Sequence, residues 1–206
     1  DSFDYICQFF LSPQALAVKP QSPFSSLDEM VAYAKAHPGE LTYGSPGPGS
    51  LPNLSMEQFL EKAGVKVTHV PFAGDGPGVT ALMGGHVDMY MTMSNVIADR
   101  ELKAIGIFSE APLDTLPGVE TAISQGYDLT ASWWGGVIAP KGIPDEARNT
   151  LEKSCQTATG AERLNQVLTR LGTQAAYLGS GDFRKQVNRI SETNGRLIDK
   201  VLKKQQ

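Results

Sequence analysis

Apolar positions along the chain switch between a two-residue and a three-to-four-residue period, and the switches mark strands and helices. Ala15-Leu-Ala-Val18 is a short apolar run closed by Lys19-Pro20, hence a strand. Ser26-Leu-Asp-Glu29 has the form of a capping box; Leu27, Met30, Val31 and Ala34 follow at helical spacing until Pro38-Gly39 stops the helix. The extended run Leu41-Thr-Tyr43 ends in the loop Tyr43-Gly-Ser-Pro-Gly-Pro-Gly-Ser-Leu-Pro-Asn53. A helix capped by Ser50 then carries Met56, Phe59, Leu60 and Ala63 on one face as far as Gly64. Val65 to Val70, rich in β-branched residues, reads as a strand. It runs into a second loop, Pro71-Phe-Ala-Gly-Asp-Gly-Pro-Gly78, and a helix from Val79 to Met83. Val87, Met89, Met91 and Met93 alternate with Asp88, Tyr90 and Thr92, which predicts a strand with one apolar face and its methionines in the core. Ser94-Asn95 closes that strand, and Ala104 to Phe108 is another.

Past Val119 to Ser124, a short helical segment capped by Gly126, the pattern changes. Ala131 to Ala139 is a long extended run holding both tryptophans, followed by Pro140-Lys-Gly-Ile-Pro144. A strand of this length bounded by prolines can cross between two lobes, with Trp133 or Trp134 either walling a cleft or packed in a core. Helices follow with inward faces at Ala147, Leu151 and Cys155, then at Leu164, Val167, Leu168 and Leu171. Ala175 to Leu178 is a short strand. Ser180 caps a last helix whose inward face is Phe183, Val187, Ile190, Leu197 and Val201, its basic outer face being solvated.

Strands and helices alternating at this pace argue for an α/β fold with a mainly parallel sheet. Ligands of such sheets sit at the carboxyl ends of strands. Three such ends are Ser45 to Ser50, Phe72 to Asp75, and Thr92 to Asn95, and they meet if their strands are neighbours.

The bulk numbers narrow the function classes. The 206 residues suffice for one large or two small domains, and 41% hydrophobic with 19% charged residues argues against disorder. A net charge of -4 without a basic cluster excludes nucleic acid as an expected partner. No apolar run approaches a membrane span, so no direct membrane insertion is expected. The chain opens at Asp1 without a signal-peptide pattern, as a mature, trimmed or truncated product would. Cys7 and Cys155 fit either one disulfide or two buried thiols. His37, His69 and His86 lack metal-site spacing and are expected to be surface or structural residues; neither a metal nor a cofactor is expected.

The first loop carries the candidate chemistry. Gly44, Gly47 and Gly49 permit positive φ or close approach to a ligand, and the next helix begins with N–H groups at the positive end of its dipole. With the hydroxyls of Ser45 and Ser50 and the amide of Asn53, the loop offers donors and no charge, which suits a carboxylate or phosphate. The plain alternative is an ordinary strand-to-helix turn capped by Ser50.

Several segments resemble the periplasmic solute-binding proteins of tripartite tricarboxylate transporters, the Bug family. These are Leu27-Asp-Glu-Met-Val-Ala-Tyr-Ala-Lys-Ala-His-Pro-Gly39, Tyr43 to Ser50, His69-Val-Pro-Phe-Ala-Gly74, Ala81-Leu-Met-Gly-Gly-His-Val-Asp88, and Trp133 to Pro144 with the helices after it. The resemblance implies a two-lobed Venus-flytrap protein of periplasmic type II, which holds small carboxylates and passes them to membrane transporter subunits. It implies a second, central lobe over 9–128, with 129–206 giving the crossover strand and C-terminal helices of the first lobe. By position, Ser45 to Asn53 looks like a carboxylate clamp, and Phe72, Gly74, Thr92 and Ser94 look like further pocket residues; Trp133 is the candidate apolar wall. The family's opening βα segment has no counterpart here, so the first lobe is expected to be incomplete, as in a truncated product or a fragment. Met93 to Leu102 also departs from the family pattern, and Asn53 stands where a histidine is common, so ligand identity does not carry over.

The leading expectation is therefore a non-enzymatic periplasmic receptor for a small organic anion. A hydrolase using Ser45 or Ser50 is the second reading. Tyr43 and Pro48 stand where a nucleophile elbow needs glycine, and neither serine has a convincing His and acidic partner in the motifs. An effector-sensing module of a regulator is the third, without a helix-turn-helix signature to support it.

Overall fold

The structure, a computed structural model, describes residues 2–203, with side chains as far as Ile198. In chain order the elements are β1 (Phe3–Val18), α1 (Leu27–Ala36), β2 (Thr42–Ser45), α2 (Leu51–Ala63), β3 (Thr68–Pro71), α3 (Asp75–Met83), β4 (Met89–Met93), α4 (Ser94–Asp99), β5 (Lys103–Ile107), β6 (Ser132–Pro140), α5 (Asp145–Thr159), α6 (Glu162–Arg170), β7 (Gln174–Gly179) and α7 (Ser180–Lys203). They divide into two compact units, one built from the chain up to Ser12 with Trp133–Gly195, the other from Pro13–Ser132 with the chain from Arg196 onward.

The unit begun by Pro13 is built on strands in the order β3-β2-β4-β1-β5. β2 is parallel to β3 and to β4, whereas β1 is antiparallel to both β4 and β5. The sheet is therefore mixed rather than mainly parallel. One layer packs Leu16, Val18, Tyr43, Met89 and Met91 under Leu27 and Met30 of α1 and Met56 and Phe59 of α2. The other packs Ala15, Ala17, Tyr90 and Ile107 under Val79 and Leu82 of α3 and Ile97 of α4. β4 is consequently buried on both faces: Tyr90 and Thr92, expected on a polar face, are as inaccessible as Met89 and Met91. Burying a side chain the size of Phe59 contributes roughly 1.5–3 kcal/mol, so these two layers hold the unit together.

Local signals set the helix ends. The Ser26 hydroxyl accepts the Glu29 N–H at 3.1 Å, and the Glu29 carboxylate reaches back to the N–H of Ser25 at 2.6 Å. Ser50 caps α2, and Gly64 ends it in the left-handed conformation at φ 67°. The helix expected over Val119 to Ser124 does not form. Ala122 donates to the Ile107 carbonyl at 2.7 Å and Ile107 to that of Glu120 at 3.0 Å, so Thr121 bridges β5 and a turn follows.

In the other unit, the first half of β1 pairs antiparallel with β7, from Cys7 opposite Gly179 to Leu11 opposite Gln174, and also pairs with β6. Cys7 and Cys155 form a disulfide joining β1 to α5. Phe183 is fully buried, edge-on to Tyr5 at 5.5 Å and to Trp134 at 5.3 Å, so the half-buried Trp134 packs on a buried ring. The Asp4 carboxylate accepts the N–H groups of Gly142 and Ile143 at 2.8 and 3.3 Å, chiefly the former holding its pKa below the ordinary value. The inward faces expected of α5 and α6 are only partly covered. Leu151, Val167 and Leu171 are 42%, 44% and 58% exposed, leaving Thr159 and Leu168 as the buried residues of these two helices. Along α7, Phe183 and Leu197 are buried and Val187 and Ile190 half-buried; Val201 lies outside the described side chains.

The disulfide spans 148 residues of sequence. A crosslink of that reach stabilises by about 2–4 kcal/mol, largely by restricting the unfolded chain. Cys155→Ser, or full reduction, is expected to lower the unfolding free energy by that amount, read from urea titrations with and without dithiothreitol.

Candidate functional site

Because β2 lies between β3 and β4 and runs parallel to both, Ser45, Pro71 and Met93 end on one edge of the sheet. The loops that follow are tied together. Phe72 N–H donates to the Ser45 carbonyl at 3.0 Å, and a Cβ on Gly47 would sit 3.7 Å from the Phe72 carbonyl oxygen. The Tyr90 hydroxyl donates to the Gly74 carbonyl at 3.3 Å, and that of Thr92 to the Asp75 carboxylate at 3.0 Å. A Cβ on Gly44 would lie 2.6 Å from the Tyr90 ring and 2.9 Å from that of Phe72, so only glycine lets both rings lie against β2.

The first loop is held from beneath by a buried polar chain. Asn53 is wholly inaccessible; its carbonyl accepts the Gly49 N–H at 2.9 Å and its NH2 donates to the Tyr43 hydroxyl at 2.7 Å. Tyr43 in turn donates to Glu57 at 2.9 Å, and burial, followed by that carboxylate, raises its pKa. His69 stacks on Tyr43 with ring centroids 4.8 Å apart and places Nε2 2.8 Å from the Ser45 hydroxyl. Burial holds the His69 pKa below its ordinary value, with Glu57 pulling the other way. Ser50 donates to the Gly47 carbonyl at 2.7 Å and accepts from Asn53 N–H at 3.4 Å. Pro46, Pro48 and Pro52 carry no N–H, so the loop is poorer in free donors than its glycine content suggests. The N–H groups of Gly47 and Leu51 have no partner among the described residues.

Ser45, Gly47, Gly49, Ser50, Asn53, Phe72, Gly74 and Thr92 thus fall in one connected cluster, and Ser94 follows β4 directly. Trp133 belongs to the other unit and is 46% exposed. Asn53 is a bracing residue, since both ends of its amide are occupied inside the protein. Three members went unnoticed in the sequence: Glu57, Tyr90 and His69. The parallel register that sets Tyr43 beside His69 was the signal that would have found the histidine. Ser45 does have a histidine partner, contrary to the expectation from the motifs. Yet Ser45 is fully buried, its hydroxyl donates to the Gly47 carbonyl at 3.3 Å beside the His69 contact, and no carboxylate hydrogen-bonds the imidazole among the described residues. That geometry ties Ser45 into the support of the loop.

Asn53→Ala orphans the Tyr43 hydroxyl and the Gly49 N–H in a buried place; about 2–4 kcal/mol of stability is expected to be lost in chemical denaturation, against under 1 kcal/mol for exposed Asn188→Ala. A histidine whose folded pKa is depressed binds fewer protons folded than unfolded, so stability rises with pH in that window. Its contribution is complete above the ordinary value of about 6.5 and is lost as pH falls below it. The melting temperature should therefore drop between pH 7 and 5.5, by less in His69→Gln.

The chain matches the family model described as tripartite tricarboxylate transporter family receptor over residues 1–202. A UPF0065 protein from Bordetella pertussis is 28% identical over 206 residues, covering 98% of this chain and 64% of that protein. Protein BugT of the same organism is 33% identical over 135 residues, 63% of this chain and 41% of its own length. The chain thus spans less than two thirds of these relatives. Among solved structures, a TctC solute binding protein from Polaromonas, without ligand, superimposes with a TM-score of 0.85 at 27% identity, covering 97% of this chain and 70% of that one. MatC from Rhodopseudomonas palustris, with bound malate, gives 0.70 at 28% identity over 97% of this chain and 69% of its own. The fold is that of the periplasmic solute-binding proteins, α/β with a mixed sheet. By the extent of the match and the shared architecture, this chain belongs to the tripartite tricarboxylate transporter receptor family.

Proposed function

We propose that this chain is part of a periplasmic receptor that holds a small organic carboxylate and delivers it to the membrane subunits of a tripartite tricarboxylate-type transporter, without catalysing a reaction. The observation that carries the reading is the uncharged loop from Tyr43 to Asn53, braced by Asn53 and joined to Phe72. Its free N–H groups at Gly47 and Leu51 stand at the positive end of α2, where oriented amide dipoles replace the hydration of an anion without a fixed cation that would slow its release. The start of α3 already has its own carboxylate, Asp75, so a solute's negative group is directed to the first loop. The malate in MatC supports a carboxylate as the solute class. The disulfide supports an oxidising compartment such as the periplasm.

In this reading 9–128 supplies the second lobe and 129–206 the crossover strand and helices of a first lobe completed by a further segment. Leu151, Val167 and Leu171, exposed here, are the apolar positions that segment would cover. Ser45, Gly47, Gly49, Ser50, Phe72, Gly74, Thr92 and Ser94 are the proposed carboxylate-binding residues of the second lobe, and Trp133 a proposed ligand-contacting residue of its own unit.

Titration calorimetry of the whole protein against mono-, di- and tricarboxylates tests this. Saturable binding is expected, weakened at least about tenfold by Gly47→Val, which forces a β-branched residue to φ 117°. Flat heats across the panel from a folded protein would overturn it.

A further inference from the structure

The polar chain beneath the first loop contains one group able to change its charge near neutral pH. His69 stands beside Tyr43 in the parallel register of β3 on β2, with the ring centroids 4.8 Å apart and the planes 26° from parallel. Its Nε2 lies 2.8 Å from the Ser45 hydroxyl, which donates to the Gly47 carbonyl at 3.3 Å. A hydroxyl whose proton points at a carbonyl meets the imidazole as an acceptor, so Nε2 carries the hydrogen of this contact. Nδ1 then holds the lone pair that a second proton takes. All these residues belong to the unit begun by Pro13.

Two titratable groups face the ring. From β2 comes the Tyr43 phenol, and from α2 the Glu57 carboxylate to which that phenol donates. Burial disfavours the imidazolium and Glu57 favours it; burial is the larger effect, so the ring is mostly neutral at pH 7. The face of the Tyr43 ring also suits a cation. An anion on the loop adds to the favouring side. Gly47 and Leu51, whose N–H groups are free among the described residues, are half-buried and keep accessible surface. Gly47 is also the residue that receives the Ser45 proton, so negative charge there is two hydrogen bonds from the imidazole. Each charge stabilises the other, and the coupling is reciprocal.

We infer that His69 is a positioning residue that couples solute binding to proton uptake: a carboxylate settling on the loop draws a proton from solvent onto the imidazole, and its departure returns that proton. The inference rests on the carboxylate-receptor reading and adds a proton to its binding step. The loop thereby gains a cation beneath it while it is occupied and lacks one when empty, which combines grip with release. A group that takes up a proton on binding makes affinity rise as pH falls, until the group is already protonated in the free protein.

Calorimetry of the whole protein at pH 7.5 and 5.5 tests this with one acid of each class, lactate, malate and citrate. His69→Gln keeps an N–H for Ser45 and takes no proton, and it controls for the titration of the acids themselves. For an acid that binds, the gain in affinity on acidification should be about fivefold or more greater in the wild type than in His69→Gln, with the two proteins within about threefold at pH 7.5. Should the variant not fold, NMR of the His69 ring in the unaltered protein decides, its apparent pKa being expected to rise by about half a unit or more on saturation with the acid. The same pH profile in both proteins, equal weakening by His69→Gln at both pH values, or a ring titration that the acid does not move overturns the proton coupling and leaves the receptor reading intact. Absence of binding by all three acids at both pH values overturns both.

Discussion

The wholly buried amide of Asn53 is the contact on which the candidate site depends. It fixes Gly49 through one end and Tyr43 through the other, so the loop between them has its path determined from below. Tyr43 is in turn fastened to Glu57 and stacked on His69, and His69 reaches Ser45 at the start of the same loop. Each member is satisfied by its neighbours in a low-dielectric place where an orphaned group would be expensive, which makes the arrangement rigid. A loop with three prolines and positive φ at Gly47 and Gly49 has few other ways to be ordered.

That rigidity bears on the chemistry. Amides hold an anion well only when their dipoles are already aligned, since reorienting them on binding would consume the gain. The polar chain under the loop provides the alignment without placing a cation in the site. Glu57 lies beneath the loop with its charge engaged by the Tyr43 hydroxyl, and Asp75 is engaged by Thr92. The carboxylates nearest to the loops are thus hydrogen-bonded within the protein.

Much of this was legible in the sequence where a local signal decides the structure. Ser26 with Glu29 and Ser50 with Gly64 marked α1 and α2 almost to the residue, because capping depends on neighbours in sequence. The gathering of three strand ends followed from strand-helix alternation. What depends on distant partners was not legible. β1 extends from Phe3 although only Ala15 to Val18 stood out, since its first half gains its pairing from β7, more than a hundred and sixty residues away. The segment from Val119 to Ser124 had helical spacing but gave its donors and acceptors to β5. Tyr90 and Thr92 looked solvent-facing by alternation, yet α3 covers Tyr90 and the Asp75 carboxylate at its start takes the Thr92 hydroxyl. Asn53 was picked out as a ligand donor for its residue type; its partners within the fold, invisible from spacing, occupy both ends of its amide.

The mixed sheet explains how a residue so far from the loops in sequence comes to stand beside them. In a wholly parallel sheet every strand contributes its carboxyl end to the ligand edge, and those ends are loops whose generic resource is the backbone amide. β1 is inverted between β4 and β5, so its amino-terminal part lies at that edge and contributes side chains from within a strand. Gln14 is held there by its own main chain, its N–H donating to the Ala131 carbonyl at 2.9 Å and its carbonyl accepting from Phe108 at 2.8 Å. A side chain rooted in a paired strand has little freedom to move. Backbone amides in the loops are the resource that any carboxylate can use, and the inverted strand gives that edge of the sheet a fixed backing.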